Sequence, residues 1–209
     1  MYNLKKGLNI PISGSPDGTV SDSTKISHVG ILGPDYIGMK PTMMVDVGDE
    51  VKIGSVLFED KKNPGVFFTS PAGGLIKSIN RGEKRRFISI EIEVADQEYQ
   101  VEILNDDNEI LRRNLSKFGV INYFRTRPFN KTPKVNDIPD DIFVNICDTN
   151  PLSVDPYIYL QHEIDLFNKS LNKLKEIYNC NIHVCYQNND FNNFIDGVNY
   201  YNFNGPHPA

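Results

Sequence analysis

A chain of 209 residues, 39% of them hydrophobic, is long enough to bury one or two real cores. Its formal net charge of −5 and pI of about 5.4 argue against a nucleic-acid binder that works through bulk charge, although a local basic patch stays open. Three cysteines, Cys147, Cys180 and Cys185, make neither a disulfide framework nor a Cys-x-x-Cys or His-rich metal spacing.

Cys180 and Cys185 read as small core hydrophobes of a reducing compartment. The opening residues, Met1 to Ile10, contain no apolar h-region, and no stretch approaches the ~20 apolar residues of a membrane span. The expectation is a soluble or peripheral, cytoplasmic protein.

Residues 4–12 predict a short strand with Leu8, Ile10 and Ile12 apolar, and Pro11 makes it an edge strand or an irregular one. Ser13 to Gly18 is a turn cluster. Residues 26–33 predict a strand carrying His28, read as a half-buried histidine bonded to backbone. The Gly- and Pro-rich loop from Gly33 to Pro41 leads into a strand over Thr42–Val47.

Two half-motifs follow: Gly48-Asp49-x-Val51-x-x-Gly54-x-x-Leu57, and Ser70-Pro71-Ala72-Gly73-Gly74-Leu75-Ile76. Gly48 and Gly54 supply the positive φ of tight corners around a short strand. Short strands and sharp corners are the grammar of a small closed β structure. The pair resembles the biotinyl/lipoyl-type domain, a flattened barrel of two similar halves whose carriers place a modified lysine between the halves. Asp60-Lys61-Lys62 falls at about that place, but Asn63-Pro64-Gly65 reshapes the tip, so Lys61 and Lys62 read either as carrier lysines or as solvated loop residues.

Leu75–Ile79 predicts a strand, Asn80-Arg81-Gly82 a hairpin turn, and Phe87–Val94 a strand with Ile88, Ile90, Ile92 and Val94 on one face. Arg81, Lys84, Arg85 and Arg86 crowd the hairpin tip. They read either as an edge-protecting solvated tip or as a docking patch for an acidic partner or a phosphate. The acidic stretch Asp96–Asn108 reads as the exit from the first domain, and Glu109–Phe118 as a helix. Arg125 and Arg127 sit in an aromatic, proline-bounded segment, where guanidinium forks suit carboxylates, phosphates and ring faces.

Residues 141–148 predict a strand. Asp155 is a candidate N-cap with Pro156 at N1, and the helix after it carries Leu160, Ile164, Phe167, Leu171, Leu174 and Tyr178 at steps of three and four. Asn179 is a candidate C-terminal cap. Asn181–Tyr186 reads as a strand, Asp190–Asp196 as a short helix and Val198–Phe203 as a last strand, a doubly wound α/β pattern. Such sheets hold ligands beyond the carboxyl ends of their strands, which places Asp148, Asn150 and the Asn204 to His207 end at one edge. The fold expected is therefore α+β and α/β: a β-rich barrel-sandwich domain over residues 1–103, then an incomplete Rossmann-like domain over residues 104–209.

Several strings carry a further resemblance: Lys6-Gly7-Leu8, the run Gly33 to Met43, the run Leu57 to Val66, Ile79-Asn80-Arg81-Gly82, Arg125-Thr126-Arg127-Pro128-Phe129 and Asp148-Thr149-Asn150-Pro151-Leu152. Together they resemble the A-type subunit of the bacterial sodium-translocating NADH:quinone oxidoreductases. The resemblance implies a peripheral protein on the cytoplasmic face of the bacterial inner membrane. Its complex would pass electrons from NADH to ubiquinone or menaquinone and export sodium. The resemblance puts flavins and iron–sulfur centres on other subunits and implies a quinone contact here, with no redox centre in this chain. It further implies that other subunits of the complex are partners and that the membrane is reached only through them. No Gly-x-Gly-x-x-Gly fingerprint follows a strand, and no cysteine quartet could hold a cluster. The family's chains run longer, so this sequence reads as an N-terminal fragment.

Two alternatives remain: a C-subunit-like component of an Rnf-type electron-transfer complex, and a lipoyl or biotinyl carrier domain. For the first reading, Arg125, Arg127, Asp148, Asn150 and His207 are the candidate quinone or partner contacts. Aromatic faces beside fixed donors suit a flat ring with two carbonyl acceptors. The competing reading of the arginines is an internal ion-pair network with Asp148 or Asp155.

Overall fold

The computed structural model describes residues 1–21, 24–95, 107–187, 191–192 and 194–208. Its first strands are β1 (Tyr2–Asn3), β2 (His28–Leu32), β3 (Pro41–Met43), β4 (Glu50–Val51), β5 (Val56–Asp60), β6 (Phe67–Thr69), β7 (Gly74–Arg81) and β8 (Phe87–Val94). After them come helix α1 (Asn108–Lys117), β9 (Asp141–Ile146), α2 (Tyr157–Leu160), α3 (Ile164–Tyr178), β10 (Asn181–Tyr186) and β11 (Asn199–Asn204). By contact the chain forms two units, Ser23–Asp137 on the one hand and Met1–Asp22 with Ile138–Ala209 on the other.

The first unit is built on two antiparallel sheets, ordered β2-β8-β7-β4 and β3-β5-β6. Its core comprises Leu57, Phe58, Val66, Phe68, Ile76, Ile90 and Ile92, all essentially buried. Phe58 stacks on Phe68 at 4.5 Å, and Tyr36 meets Phe68 edge-on at 4.7 Å. Burying each such side chain contributes about 1.5–3 kcal/mol. Gly48 and Gly54 do take positive φ, 97° and 89°. This is the expected barrel-sandwich part, with no helix longer than a 3-10 turn between Thr42 and Val94.

Three sequence expectations shift here. The hairpin turn does not lie at Asn80-Arg81-Gly82. Asn80 stays in β7, where its side chain donates to Ser78 and Ser89, and the positive φ angles fall on Lys84 (52°) and Arg85 (59°). The clean alternation of Phe87–Val94 also breaks, because β7 and β8 slip register between Asn80 and Arg81. The irregularity turns Phe87 inward and leaves Ile88 exposed, while Ile90 and Ile92 remain in the core. His28 is exposed rather than half-buried, with its ring near the Ser27 hydroxyl.

The second unit is a parallel sheet in the order β1-β11-β10-β9. Ile142, Ile182 and Val184 are buried in it, and α3, with Leu171 and Ile177 buried, packs against β10. Residues 4–12 are not a strand. The N-terminal pairing is made by Tyr2–Asn3 instead, in parallel register with Phe203 and Asn204. The long expected helix is two. Pro156, not Asp155, stands at the N-cap of α2, with Asp155 Oδ1 accepting the Tyr157 amide at 2.9 Å from one residue earlier, and α3 starts afresh at Ile164, although no Gly or Pro marks residues 161–163. Asn179 ends α3 in the left-handed conformation, as expected. The described residues of 190–196 carry no helix, whereas Asp190 and Asn193 lie outside the described residues, as does most of the expected exit segment Asp96–Asn108.

The sequence patterning divides the chain at residue 103. The contacts group it otherwise, because β1 pairs with β11 and because α1 rests on β6.

Candidate functional site

In the first unit, Asn122 is buried and donates to the Phe67 carbonyl at 2.6 Å. Thr69 donates to the Phe118 carbonyl at 3.2 Å, and the Ser116 hydroxyl donates to the Gly65 carbonyl. These bonds tie the end of α1 and the 3-10 turn Val120–Tyr123 to the barrel. Arg125 follows directly. Its guanidinium donates to the carbonyls of Asn122 and Phe124 and lies 5.1 Å over the ring of Tyr36. Burial pushes the Tyr36 hydroxyl pKa up, and the Arg125 charge works against that shift. Sequence reasoning misses Tyr36. Its only signal there is membership of the Gly33 to Met43 string.

Arg127 is exposed and donates to Asn130 Oδ1 at 3.3 Å. Around it, Thr126 and Lys131 bridge the loop, Lys131 Nζ lies 5.9 Å over Phe129, and Phe129 and Tyr123 are 71% and 85% exposed. Arg127 thus bonds an amide oxygen and Arg125 two carbonyls of their own segment, while Arg125 also bonds the distant Tyr36 hydroxyl. An open groove of about 460 Å³ in the same unit has an apolar floor of Met44, Val56, Phe67 and Val135, with Arg113 and Lys117 among its walls.

In the second unit, Asp148 Oδ1 accepts from the Asn150 amide at 2.9 Å and from Asn150 Nδ2 at 2.7 Å. These bonds, the backbone one foremost, hold the Asp148 carboxyl below the usual carboxylate range. His207 Nδ1 lies 2.9 Å from the Thr149 hydroxyl. His207 is anchored by its amide to Asn9 Oδ1 at 3.2 Å and by its carbonyl to the Leu8 amide at 2.9 Å. Asp148, Asn150 and His207 therefore gather where β9 and β11 end, while Arg125 and Arg127 belong to the other unit.

Sequence reasoning also misses a second cluster. His183 Nε2 lies 2.7 Å from Asp141 Oδ1, its Nδ1 lies 3.2 Å from the Tyr201 hydroxyl, and Phe143 stacks on the imidazole at 4.6 Å. Tyr2 continues the row against Tyr201 and Phe203. Phe143, His183, Tyr201 and Tyr2 thus form a ring-lined row across all four strands. Period-two alternation in β9 and β10 could have placed Phe143 and His183 on one face, but not beside Tyr201.

At the β7–β8 tip, the Arg86 amide donates to the Glu83 carbonyl at 3.1 Å around Lys84 and Arg85, a type I′ geometry. Asn-Gly is the usual choice there, and a side chain in that region costs about 1–2 kcal/mol. Arg81 Nη1 donates to the Arg85 carbonyl at 3.4 Å, and Arg81, Lys84, Arg85 and Arg86 are all exposed.

Comparison with known proteins adds what the geometry leaves open. A model of the NqrA N-terminal barrel-sandwich hybrid domain matches residues 2–95, and a model of the NqrA second alpha/beta domain matches residues 106–209. The chain belongs to the NqrA family. Curated relatives named for the A subunit of Na(+)-translocating NADH-quinone reductase include one from Yersinia pseudotuberculosis serotype O:1b (strain IP 31758), 43% identical over 218 aligned positions. Others come from Pasteurella multocida (strain Pm70), at 43%, and Neisseria meningitidis serogroup B (strain ATCC BAA-335 / MC58), at 44%. Each alignment covers 100% of this chain and 49% of the relative, so the chain spans about half the length of the curated relatives it matches.

Membership of the NqrA family selects the first of the three sequence readings over the Rnf-type and carrier alternatives. Asp60 accepts from the amides of Lys40 and Lys62, and Asn63 donates to the Pro133 carbonyl at 2.9 Å, so the β5–β6 tip is tied down around its exposed lysines. Among the described residues no group of three or more His, Cys, Asp or Glu could hold a metal ion, and no helix is long and apolar enough to cross a membrane.

Proposed function

We propose that this chain works as part of the NqrA component of a sodium-pumping NADH:quinone reductase, a translocase that couples electron transfer from NADH to ubiquinone or menaquinone to sodium export. The reading is supported by the family assignment, which covers both domains at once. In it the chain helps assemble the complex and contacts quinone, while flavins and iron–sulfur centres sit on other subunits. It is held through those subunits at the cytoplasmic face of the bacterial inner membrane.

For the quinone contact, Arg125 and Arg127 remain the proposed donors of the first unit, with Tyr36 as the ring face beside Arg125. A fixed guanidinium over an aromatic ring supplies what a flat dicarbonyl ring needs, a stacking surface and a hydrogen-bond donor. Asp148, Asn150 and His207 are the proposed contacts of the second unit.

The test is Arg127→Leu in the full-length protein within its native complex. Arg127 is exposed and, among the described residues, its side chain bonds Asn130 alone, so its removal leaves the fold intact. Loss of one charged hydrogen bond weakens quinone affinity about tenfold or more, with assembly unchanged. Impaired assembly, with unaltered quinone affinity in the complexes that form, overturns the site.

A further inference from the structure

The β7–β8 hairpin combines two features that a merely solvated turn does not need. Four cations, Arg81, Lys84, Arg85 and Arg86, share the tip with one carboxylate, Glu83, in a chain whose net charge is −5. Lower on the same hairpin the charges are satisfied, Lys77 pairing with Glu93 at 2.7 Å and Ser78 donating to Glu91 at 3.0 Å. At the tip, among the described residues, the only recorded side-chain bond of a cation is the long one from Arg81 to a carbonyl. In addition, Lys84 and Arg85 hold the two turn positions with φ of 52° and 59°, where Gly or Asn is conformationally cheaper. Strain of this kind persists where the residue serves a function.

We propose that this tip is an electrostatic foot that rests on the anionic headgroups of a lipid bilayer. With Arg81, Lys84, Arg85 and Arg86 all exposed, the turn can bring several long cationic side chains to a flat, negatively charged surface at once. Ile88, 37% exposed, lies beside Gly82 at the foot of the turn, where an added Cβ would meet its Cδ1 at 3.0 Å. It gives the tip an apolar flank for the headgroup boundary. The proposal rests on the functional reading above only for the presence of a bilayer nearby. It adds a direct contact to those made through partner subunits.

The test is co-sedimentation of the chain with phosphatidylcholine vesicles, with and without phosphatidylglycerol, at low and high salt. The wild-type chain binds the anionic vesicles alone and loses them as salt rises. The informative variant is Lys84→Asn with Arg85→Gly, which removes two charges while giving the turn its preferred residues. It binds about 25-fold more weakly, about fivefold per charge, and melts at the same temperature or higher. Glu83→Gln strengthens binding. Equal binding by wild type and double variant overturns the proposal, as does an absence of binding to anionic vesicles. Displacement by inorganic phosphate at matched ionic strength overturns it too, in favour of a discrete anion site. Neither quinone affinity nor complex assembly enters these readouts, so this proposal and the quinone reading fail separately.

Discussion

His183 and Asp141 link the two neighbouring strands β10 and β9 side chain to side chain, Nε2 to Oδ1 at 2.7 Å, with Asn181 donating to the same carboxylate oxygen at 3.1 Å. The His183 bond foremost, then that of Asn181, holds the Asp141 carboxyl below its usual range. Because the folded value is depressed, the stabilisation is fully present above the unfolded carboxylate pKa and is lost as pH falls through the folded value. Melting curves between pH 3 and 7 should therefore show an acid limb that Asp141→Asn flattens. At neutral pH the variant should melt no more than a few degrees lower, since the carboxylate is exposed. An unchanged acid limb would remove Asp141 from the linkage.

Phe68 is the keystone of the barrel core, stacked on Phe58 and met edge-on by Tyr36. Phe68→Ala should cost about 3–5 kcal/mol, the transfer term plus the cavity it leaves. Urea unfolding of the chain measures this. A loss under about 1 kcal/mol would mean that the aromatic cluster collapses to fill the space.

Gly119 has φ of 74°, and an added Cβ would meet the Thr69 Oγ1 at 2.6 Å. Gly119→Ala should destabilise by more than the ~1 kcal/mol expected from backbone conformation alone. It also presses on the Thr69 to Phe118 bond that precedes Arg125. Thermal melts of the alanine variant beside Thr69→Ala Gly119→Ala, where the clash is relieved, separate the two contributions. No recovery in the double variant would assign the whole cost to φ.

Burial pushes the Cys147 thiol up to about 11, with Cys185 and then Asp155 adding to it. At pH 8 only about one thiol in a thousand would be ionised. Alkylation by iodoacetamide should therefore be slow at pH 8 and accelerate steeply towards pH 11. Rapid labelling of Cys147 at pH 8 would contradict the raised thiol pKa.

Asp107 caps α1, its Oδ1 accepting from the amides of Glu109 at 2.9 Å and Ile110 at 3.0 Å. Asp107→Ala should cost about 1 kcal/mol. Hydrogen exchange should show faster exchange in the first turn of α1 and little change in the parallel sheet.

What the sequence determined by itself is local. The corners at Gly48 and Gly54, the apolar run of β5, the alternation around Ile90 and Ile92 and the left-handed Asn179 all follow from backbone preference and side-chain periodicity within a few residues. The same short-range signals announced a barrel-sandwich part followed by an α/β part. The matched strings along the chain point to the family by themselves.

The tertiary structure decided everything that depends on distant pairing. Leu8 and Ile10 looked like strand residues, yet only Tyr2 and Asn3 find a ladder, because their partner β11 lies near the other end of the chain. The turn at Lys84 and Arg85 could not be read locally, since propensity assigned positive φ to Asn80 and Gly82 and the register of β7 against β8 overruled it. Tyr36 under Arg125, and His183 between Asp141 and Tyr201, join residues far apart in sequence. Periodicity tells which face a side chain takes. It does not tell which other strand or loop will bring a partner to that face, because that is settled by burial of the whole core rather than by any local preference.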